Sequence, residues 1–253
     1  MSSSKRRVEL VPAFEDNYIF VLIDSARQEC LIVDPGEGED VMAFVARENL
    51  KPVALLLTHH HADHIGGVND IKRAFPDLEI FAPLKNKAQI PQATRFVSDG
   101  DILSASSFQF RVMELPGHTL GHIAYWEESQ HWLFSGDVLF GLGCGRLFEG
   151  TFEQMFQSLA KIAALPADTL IYCTHEYTET NLRFCKALSR MDMSATPSDN
   201  DDFLEYETEL LKVRAEGQAS VPLRLEKEKK ANPFLMARSL KEFTSLRELR
   251  NKF

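Results

Sequence analysis

The 253-residue chain has no CxxC pair: its four cysteines, Cys30, Cys144, Cys173 and Cys185, lie far apart. That spacing excludes a cysteine-rich metal site and gives little support to a disulfide framework, so free thiols in a reducing cytoplasm are expected. Positive charge is also short, with 28 Lys and Arg against 37 Asp and Glu and a formal net charge of −9. General nucleic-acid affinity needs the opposite balance. An anionic small substrate would have to be held by local Lys or Arg against the overall field. No apolar run approaches the length that crosses a bilayer. The opening MSSSKRRVEL is basic but has no apolar stretch behind it, and does not read as a secretory signal. There is no internal repeat, and the charge run at 226–230 reads as solvated surface. The expected partner is a small molecule, not nucleic acid or membrane, and the chain is expected to act as a cytoplasmic monomer.

What is present is an ordinary globular balance, 44% hydrophobic and 26% charged, in a chain long enough for one large domain, or for one domain plus a smaller appendage. YIFVLID and ECLIVDPG flank SARQ as a hairpin would. EDVMAFVAREN has helical spacing, with Val41, Phe44 and Val45 on one side. KPVALLLT is a near-continuous apolar strand of the kind buried on both faces. GGVNDIKRAFP predicts a helix stopped by Pro76, followed by a strand at LEIFAP. FQFRVMEL, IAYWEE, HWLFSG and DTLIYCTH continue the strands, with the helix TFEQMFQSLAKIAAL before the last. Strands interspersed with helices imply an α/β domain over residues 1–175. Beyond it, EYTETNLRFCKALSRM and SDNDDFLEYETELLKVRAEG have helical spacing, the second with Ser198 or Asp199 as N-cap. SVPLRLEKEKKANPFLM reads as a loop and SLKEFTSLRELRNKF as a final helix, giving a helical subdomain over 176–253.

Four of the strands end in metal-ligand types. ALLLTHHHADH supplies His59, His60, His61, Asp63 and His64; FRVMELPGH leads to His118, HWLFSGD to Asp137 and TLIYCTH to His175. Strands lying side by side would bring these ends to one sheet edge, where α/β folds commonly place their sites. In extended chain, residues two apart point the same way, so His59 and His61 can face one ion while His60 faces away. With His118 they make a three-nitrogen site. Asp63 and His64, beyond a turn eased by Gly66 and Gly67, make a second site with His175. Asp137 remains, and its carboxylate can bridge two ions. A lone histidine is more often structural than a ligand, but four within six positions beside an aspartate are not explained that way. A structural zinc would favour a closed, cysteine-rich set; histidines and carboxylates with a shared ligand leave positions open for water.

THHHADH, with GH at 117–118, GD at 136–137 and His175, resembles the metallo-β-lactamase superfamily, whose fold is an αββα sandwich. Within it the chain is similar to glyoxalase II, the hydroxyacylglutathione hydrolases. FEDNY at 14–18, DPG at 34–36, LPGHTLGH at 115–122, FSGDVLFGLGCGRLFEGT at 134–151, THEYT at 174–178 and NPF at 232–234 carry that resemblance almost end to end. The resemblance implies two divalent ions per chain, zinc first, although the same ligands accept iron and manganese. It implies hydrolysis of an S-(2-hydroxyacyl)glutathione, such as S-D-lactoylglutathione, by a metal-bridging hydroxide that Asp63 would help to orient. A thiol leaving group with a pKa near ~8.5 needs no separate general acid. Arg146, Phe148, Tyr177, Arg247 and Arg250 fall where the family binds substrate. Where relatives carry Lys and then Tyr, this chain has Arg146, which keeps the charge, and Phe148, which lacks the hydroxyl. Taken alone, the segment with Arg247 and Arg250 reads as a solvated helix face.

Two other readings belong to other classes. A persulfide dioxygenase resembles glyoxalase II but would use one iron, held mainly by His59, His118 and Asp137. A binding module would use the metal only to hold its fold. Metal content per chain separates the first from the hydrolase, and loss of fold on chelation without hydrolase activity would mark the second.

Overall fold

The computed structural model describes residues 6–188 and 201–253. The expected N-cap at Ser198 or Asp199 lies outside them. The chain divides into two compact units, the first comprising residues 1–114 and 121–130, the second 115–120 and 131–253.

In the first unit, β1 (Arg6–Ala13), β2 (Asn17–Asp24) and β3 (Glu29–Val33) form an antiparallel meander. Helix α1 (Glu39–Arg47) then crosses to β4 (Lys51–Leu56), which runs parallel to β3. The short helices α2 (Ala62–Ile65) and α3 (Val68–Ala74) lead to β5 (Glu79–Pro83) and β6 (Arg95–Val97), which extend the parallel half. Leu55, Leu56 and Leu57 have no solvent exposure, which is why this central parallel strand is apolar without alternation. Val41 and Val45 of α1 and Ile71 of α3 join Val21, Ile32, Leu55 and Ile80 in one core. Each such side chain contributes roughly 1.5–3 kcal/mol by leaving water. An antiparallel ribbon of β7 (Ile102–Ala105), β8 (Phe108–Glu114) and β9 (Ile123–Glu127) completes the unit. The Tyr125 hydroxyl of β9 donates to the carbonyls of Leu57 and Phe81, tying the ribbon to the ends of β4 and β5.

The second unit pairs β10 (Trp132–Gly136) in parallel with β13 (Leu170–Cys173). Between them lie a small hairpin, β11 (Leu139–Phe140) with β12 (Gly143–Cys144), and helix α4 (Phe152–Ala163). Helix α4 starts with a capping box: Thr151 Oγ1 accepts from Gln154 N, and Gln154 Oε1 accepts from Thr151 N. Helices α5 (Thr178–Leu188) and α6 (Asp201–Ala215) follow, then β14 (Leu223–Arg224), α7 (Leu225–Ala231), α8 (Pro233–Met236) and α9 (Leu240–Lys252). Strand β14 adds antiparallel to β13.

Several expectations change here. The segment expected as a loop over 220–236 holds a short strand and two helices. Helix α7 is too short to show a period in sequence, yet Leu225, Glu228 and Ala231 share its buried side. The charge run at 226–230 is therefore not all solvated surface: Glu228 is buried. The pair Gly66 and Gly67 forms the turn between α2 and α3 without positive φ, and close packing is a second reason for it. A Cβ on Gly66 would meet Gly36 O at 2.3 Å, and one on Gly67 would meet Glu37 C at 2.3 Å. These glycines let two backbones touch. All four cysteines are free and buried. Among the described residues no helix is long and apolar enough to cross a membrane.

Candidate metal centre

In the first unit, the chain leaving β4 stays extended, and alternation decides which histidines meet. His59 Nε2 lies 3.0 Å from His61 Nδ1, whereas His60 turns to Asn86, with Nδ1 3.0 Å from Nδ2. Asp63 and His64 follow on α2, and Asp63 Oδ2 is 3.7 Å from His64 Nε2. Behind them sits Asp34, just past β3, with a φ of +48° that few non-glycine residues adopt. Its carboxylate accepts from Thr58 N at 2.8 Å, Thr58 Oγ1 at 2.7 Å and His64 Nδ1 at 2.9 Å. Such a conformation persists where surrounding bonds fix it.

These contacts settle where the protons are. The single hydroxyl proton of Thr58 goes to Asp34, so in the 3.1 Å contact with His59 Nδ1 the imidazole is the donor. His64 Nδ1 likewise donates to a carboxylate. Both rings therefore keep their Nε2 lone pairs, as a metal ligand must. Asn17, from FEDNY, donates to the Oδ2 of Asp63 at 3.3 Å and orients that carboxylate.

In the second unit, Gly117 comes so close to α4 that a Cβ there would lie 2.8 Å from Met155 Cβ. The next residue, His118, gives its Nδ1 proton to the Arg146 carbonyl at 2.7 Å, again leaving Nε2 as the ligand atom. Strand β10 ends at Gly136, in the left-handed region with φ +49°, a turn that suits glycine and delivers Asp137. One oxygen of Asp137, Oδ2, lies 3.4 Å from His118 Nε2 and 3.4 Å from His175 Nε2. His175 follows β13, and its ring stacks on Tyr177 with centroids 4.7 Å apart.

The donor set fits divalent metal. Two ligands of one tetrahedral ion, each at ~2.0–2.1 Å, lie roughly 3.3 Å apart. The His59–His61, His118–Asp137 and His175–Asp137 separations, 3.0, 3.4 and 3.4 Å, are of that size. A single carboxylate oxygen within that range of two histidines is placed as a shared ligand would be. His59, His61, Asp63 and His64 lie together in the first unit, and His118, Asp137 and His175 in the second; among the described residues His60, His122 and His131 belong to no group that could hold a metal ion. His122 stacks on His59, and His131 pairs with Asp168 at 2.7 Å.

The residues expected to bind substrate all belong to the second unit, in differing surroundings. Arg146 is exposed, with its guanidinium 5.5 Å from the Phe148 ring centre. Phe148, 61% exposed, sets its edge against His118. Tyr177 is half-buried between His175 and Phe140. Arg247 is not on a solvated face: it is 5% exposed and donates from Nη1 to Cys144 O at 2.7 Å. Arg250 is half-buried, bonded to Asn181 Oδ1 at 3.2 Å, and burial followed by the charge of Arg247 lowers its pKa. Sequence reasoning gave no role to Asp34, Thr58 or Asn17. DPG and FEDNY were visible as motifs, but a supporting residue leaves no ligand-type spacing to detect.

A metallo-β-lactamase superfamily model matches residues 17–175. A model for the hydroxyacylglutathione hydrolase C-terminus matches 176–253. The solved structure of ETHE1 from Myxococcus xanthus superposes with a TM-score of 0.70 at 23% identity, covering 96% of this chain and 89% of that one. The fold is that of the metallo-β-lactamase superfamily, to which the chain belongs. A hydroxyacylglutathione hydrolase of Bdellovibrio bacteriovorus is 53% identical over 250 residues, 99% of each chain. Another, of Aliivibrio salmonicida, is 46% identical over 228 residues, 90% of this chain and 85% of that one. The chain belongs to the hydroxyacylglutathione hydrolase family.

Proposed function

We propose that the chain hydrolyses an S-(2-hydroxyacyl)glutathione thioester to glutathione and a 2-hydroxy acid. S-D-lactoylglutathione and D-lactate are the specific pair, as in the second step of methylglyoxal detoxification. The observation that carries this reading is the family match across the whole chain, including the C-terminal segment that the superfamily fold alone does not require. His59, His61 and His118 would hold one divalent ion, and Asp63, His64 and His175 a second, with Asp137 shared. Zinc is the first choice for both.

Bound there, two such ions supply Lewis acidity and a water acidic enough to ionise near neutral pH. The chain's own residues do the rest. Asp63, steadied by Asn17, has a side chain 41% exposed, so its carboxylate can orient a water and take up its proton. Thr58, Asp34 and the Arg146 carbonyl keep three imidazoles in one tautomer. Thiolate, with a pKa near ~8.5, leaves without a dedicated acid. Arg146 offers an exposed cation for a glutathione carboxylate, and Phe148 an apolar wall beside His118. Arg247 presents a buried Nε with no acceptor among the described residues, suited to a second carboxylate together with Arg250. Tyr177 brings a hydroxyl beside His175.

The test is to assay purified chain with S-D-lactoylglutathione while measuring bound metal. Turnover with two ions per chain is expected. A fully loaded protein holding one ion, or one inert toward the thioester, would overturn the reading. One iron with oxygen consumption on glutathione persulfide would replace it.

A further inference from the structure

The segment that follows Asp137 is short of regular structure yet almost fully bonded, and its partners come from the C-terminal helices. Asn232 Nδ2 reaches Phe140 O at 3.1 Å and Gly143 O at 3.0 Å. Asn181 Nδ2 donates to Gly141 O at 2.9 Å, and Arg247 Nη1 to Cys144 O at 2.7 Å. The amide of Leu142, which has a φ of +55°, donates to Glu228 Oε2 at 2.9 Å. The same oxygen accepts from Asn232 Nδ2 at 2.9 Å, and Oε1 from the Tyr206 hydroxyl at 2.5 Å. Glu228 and Asn232 have no solvent exposure. One end of the segment is Asp137. At the other, the Arg146 carbonyl holds the His118 ring.

We propose that Glu228 and Asn232 are positioning residues: they clamp residues 138–146, and through them set the Asp137 carboxylate and the His118 ring for metal. This rests on the function proposed above, and gives the family's helical tail a task beyond holding substrate. Burial of Glu228 in a charge run that otherwise faces water is costly, and a packing role alone would be met by an apolar side chain. Three donors converge on it instead. The clamp does not need the charge. Protonated at Oε1, Glu228 donates to the Tyr206 oxygen, while Oε2 still accepts from Leu142 and Asn232. A glutamine keeps the two bonds to the segment side, its amide oxygen accepting from Leu142 and Asn232 in place of Oε2, while its amide nitrogen donates to the Tyr206 oxygen and so reverses the third.

The test compares Glu228→Gln, Glu228→Ala, Asn232→Asp and a control, Leu210→Ala, which loosens the apolar core shared with Leu142 but removes no hydrogen bond to the segment. Metal retention is read by competition with a chromophoric chelator, folding by circular dichroism, and kcat and KM with S-D-lactoylglutathione. Asn232→Asp keeps the oxygen that caps Phe234 N but loses the donors. It and Glu228→Ala should lose metal affinity about tenfold or more, the scale of removing a support behind a ligand, with kcat falling as well. Glu228→Gln should restore both towards wild type, and Leu210→Ala, although less stable, should keep metal affinity. Folded Glu228→Ala and Asn232→Asp proteins with wild-type metal affinity would overturn the proposal, as would Glu228→Gln failing as badly as Glu228→Ala. If wild type binds two ions but does not cleave the thioester, the function reading falls, and the chelator measurement still decides the clamp.

Discussion

Asp137 puts a single oxygen 3.4 Å from the Nε2 atoms of both His118 and His175, so with the two ions proposed above Asp137→Ala would remove a ligand from each. His60 is engaged with Asn86 and points away from His59 and His61. Asp137→Ala should therefore cost orders of magnitude more kcat than His60→Ala, and similar losses would contradict the alternation argument. Asp34→Ala is subtler, since Asp34 touches no substrate. It removes the acceptor that fixes the His64 tautomer and frees the Thr58 proton to compete at His59. Metal affinity should drop roughly 10–100-fold, measurable by chelator competition; an Asp34→Ala protein with wild-type affinity would show that the ligands need no such support.

Helix α7 makes a pH-dependent contribution of definite sign. Burial raises the pKa of Glu228 from 4.5 to about 7, against hydrogen bonds from Tyr206, Asn232 and Leu142 that lower it. Tyr206, Cys173 and Cys185 face it, and their own pKa values are pushed up by burial first and by Glu228. Between pH 4.5 and about 7 the folded state binds the proton that the unfolded state has released. This contribution to stability is thus full below that window and lost as pH rises through it. Glu228→Gln should remove that slope and gain up to about 3 kcal/mol near pH 8 relative to wild type, read from urea melts across pH. A wild-type-like slope in the Gln variant would assign the titration elsewhere. Helix α9 gives a kinetic contrast. Arg250→Ala should mainly raise KM, by about tenfold if one charge-assisted hydrogen bond of roughly 1.5–3 kcal/mol is lost. Arg247→Ala should also lower kcat, because Arg247 holds the Cys144 carbonyl in the segment behind Asp137. If both variants kept wild-type KM, α9 would have no part in binding substrate.

For the whole molecule, the large core built on β1 to β6 uses no metal ligand, so chelation should lower the melting temperature without abolishing the fold. Each ion present at 100 times its Kd adds about 2.7 kcal/mol to the folded state. Unfolding at 25 °C on adding chelator, seen by far-UV circular dichroism, would instead make the metal structural. The net charge of −9 opposes an anionic thioester, and exposed Arg146, in the role proposed above, would attract it locally. Salt screens both, within about 10 Å at 0.1 M, so the sign of the KM change with ionic strength tells which field dominates; a rise would favour the local cations.

By itself the sequence determined strands β2 to β5, β8 to β10 and β13, though not β1, β6, β7, β11, β12 or β14, and the alternation that separates His60 from His59 and His61, because these depend on neighbours in the chain. Buried KPVALLLT and the HxHxDH run state their chemistry locally, and family-specific segments such as GCGRLFEGT added the substrate class. What lies far apart in sequence was decided only by tertiary structure. Nothing local marks Asp34 as the acceptor for Thr58 and His64, 24 and 30 residues away. Nor does the second Glu of the run EKEKK announce that it will be buried 86 residues from the amide it holds. Arg247 was legible as a cation on a polar helix, but its burial follows from which side of α9 meets the β11–β12 hairpin. A hydrogen bond between distant residues leaves no periodicity in either partner, so only the folded chain reveals it.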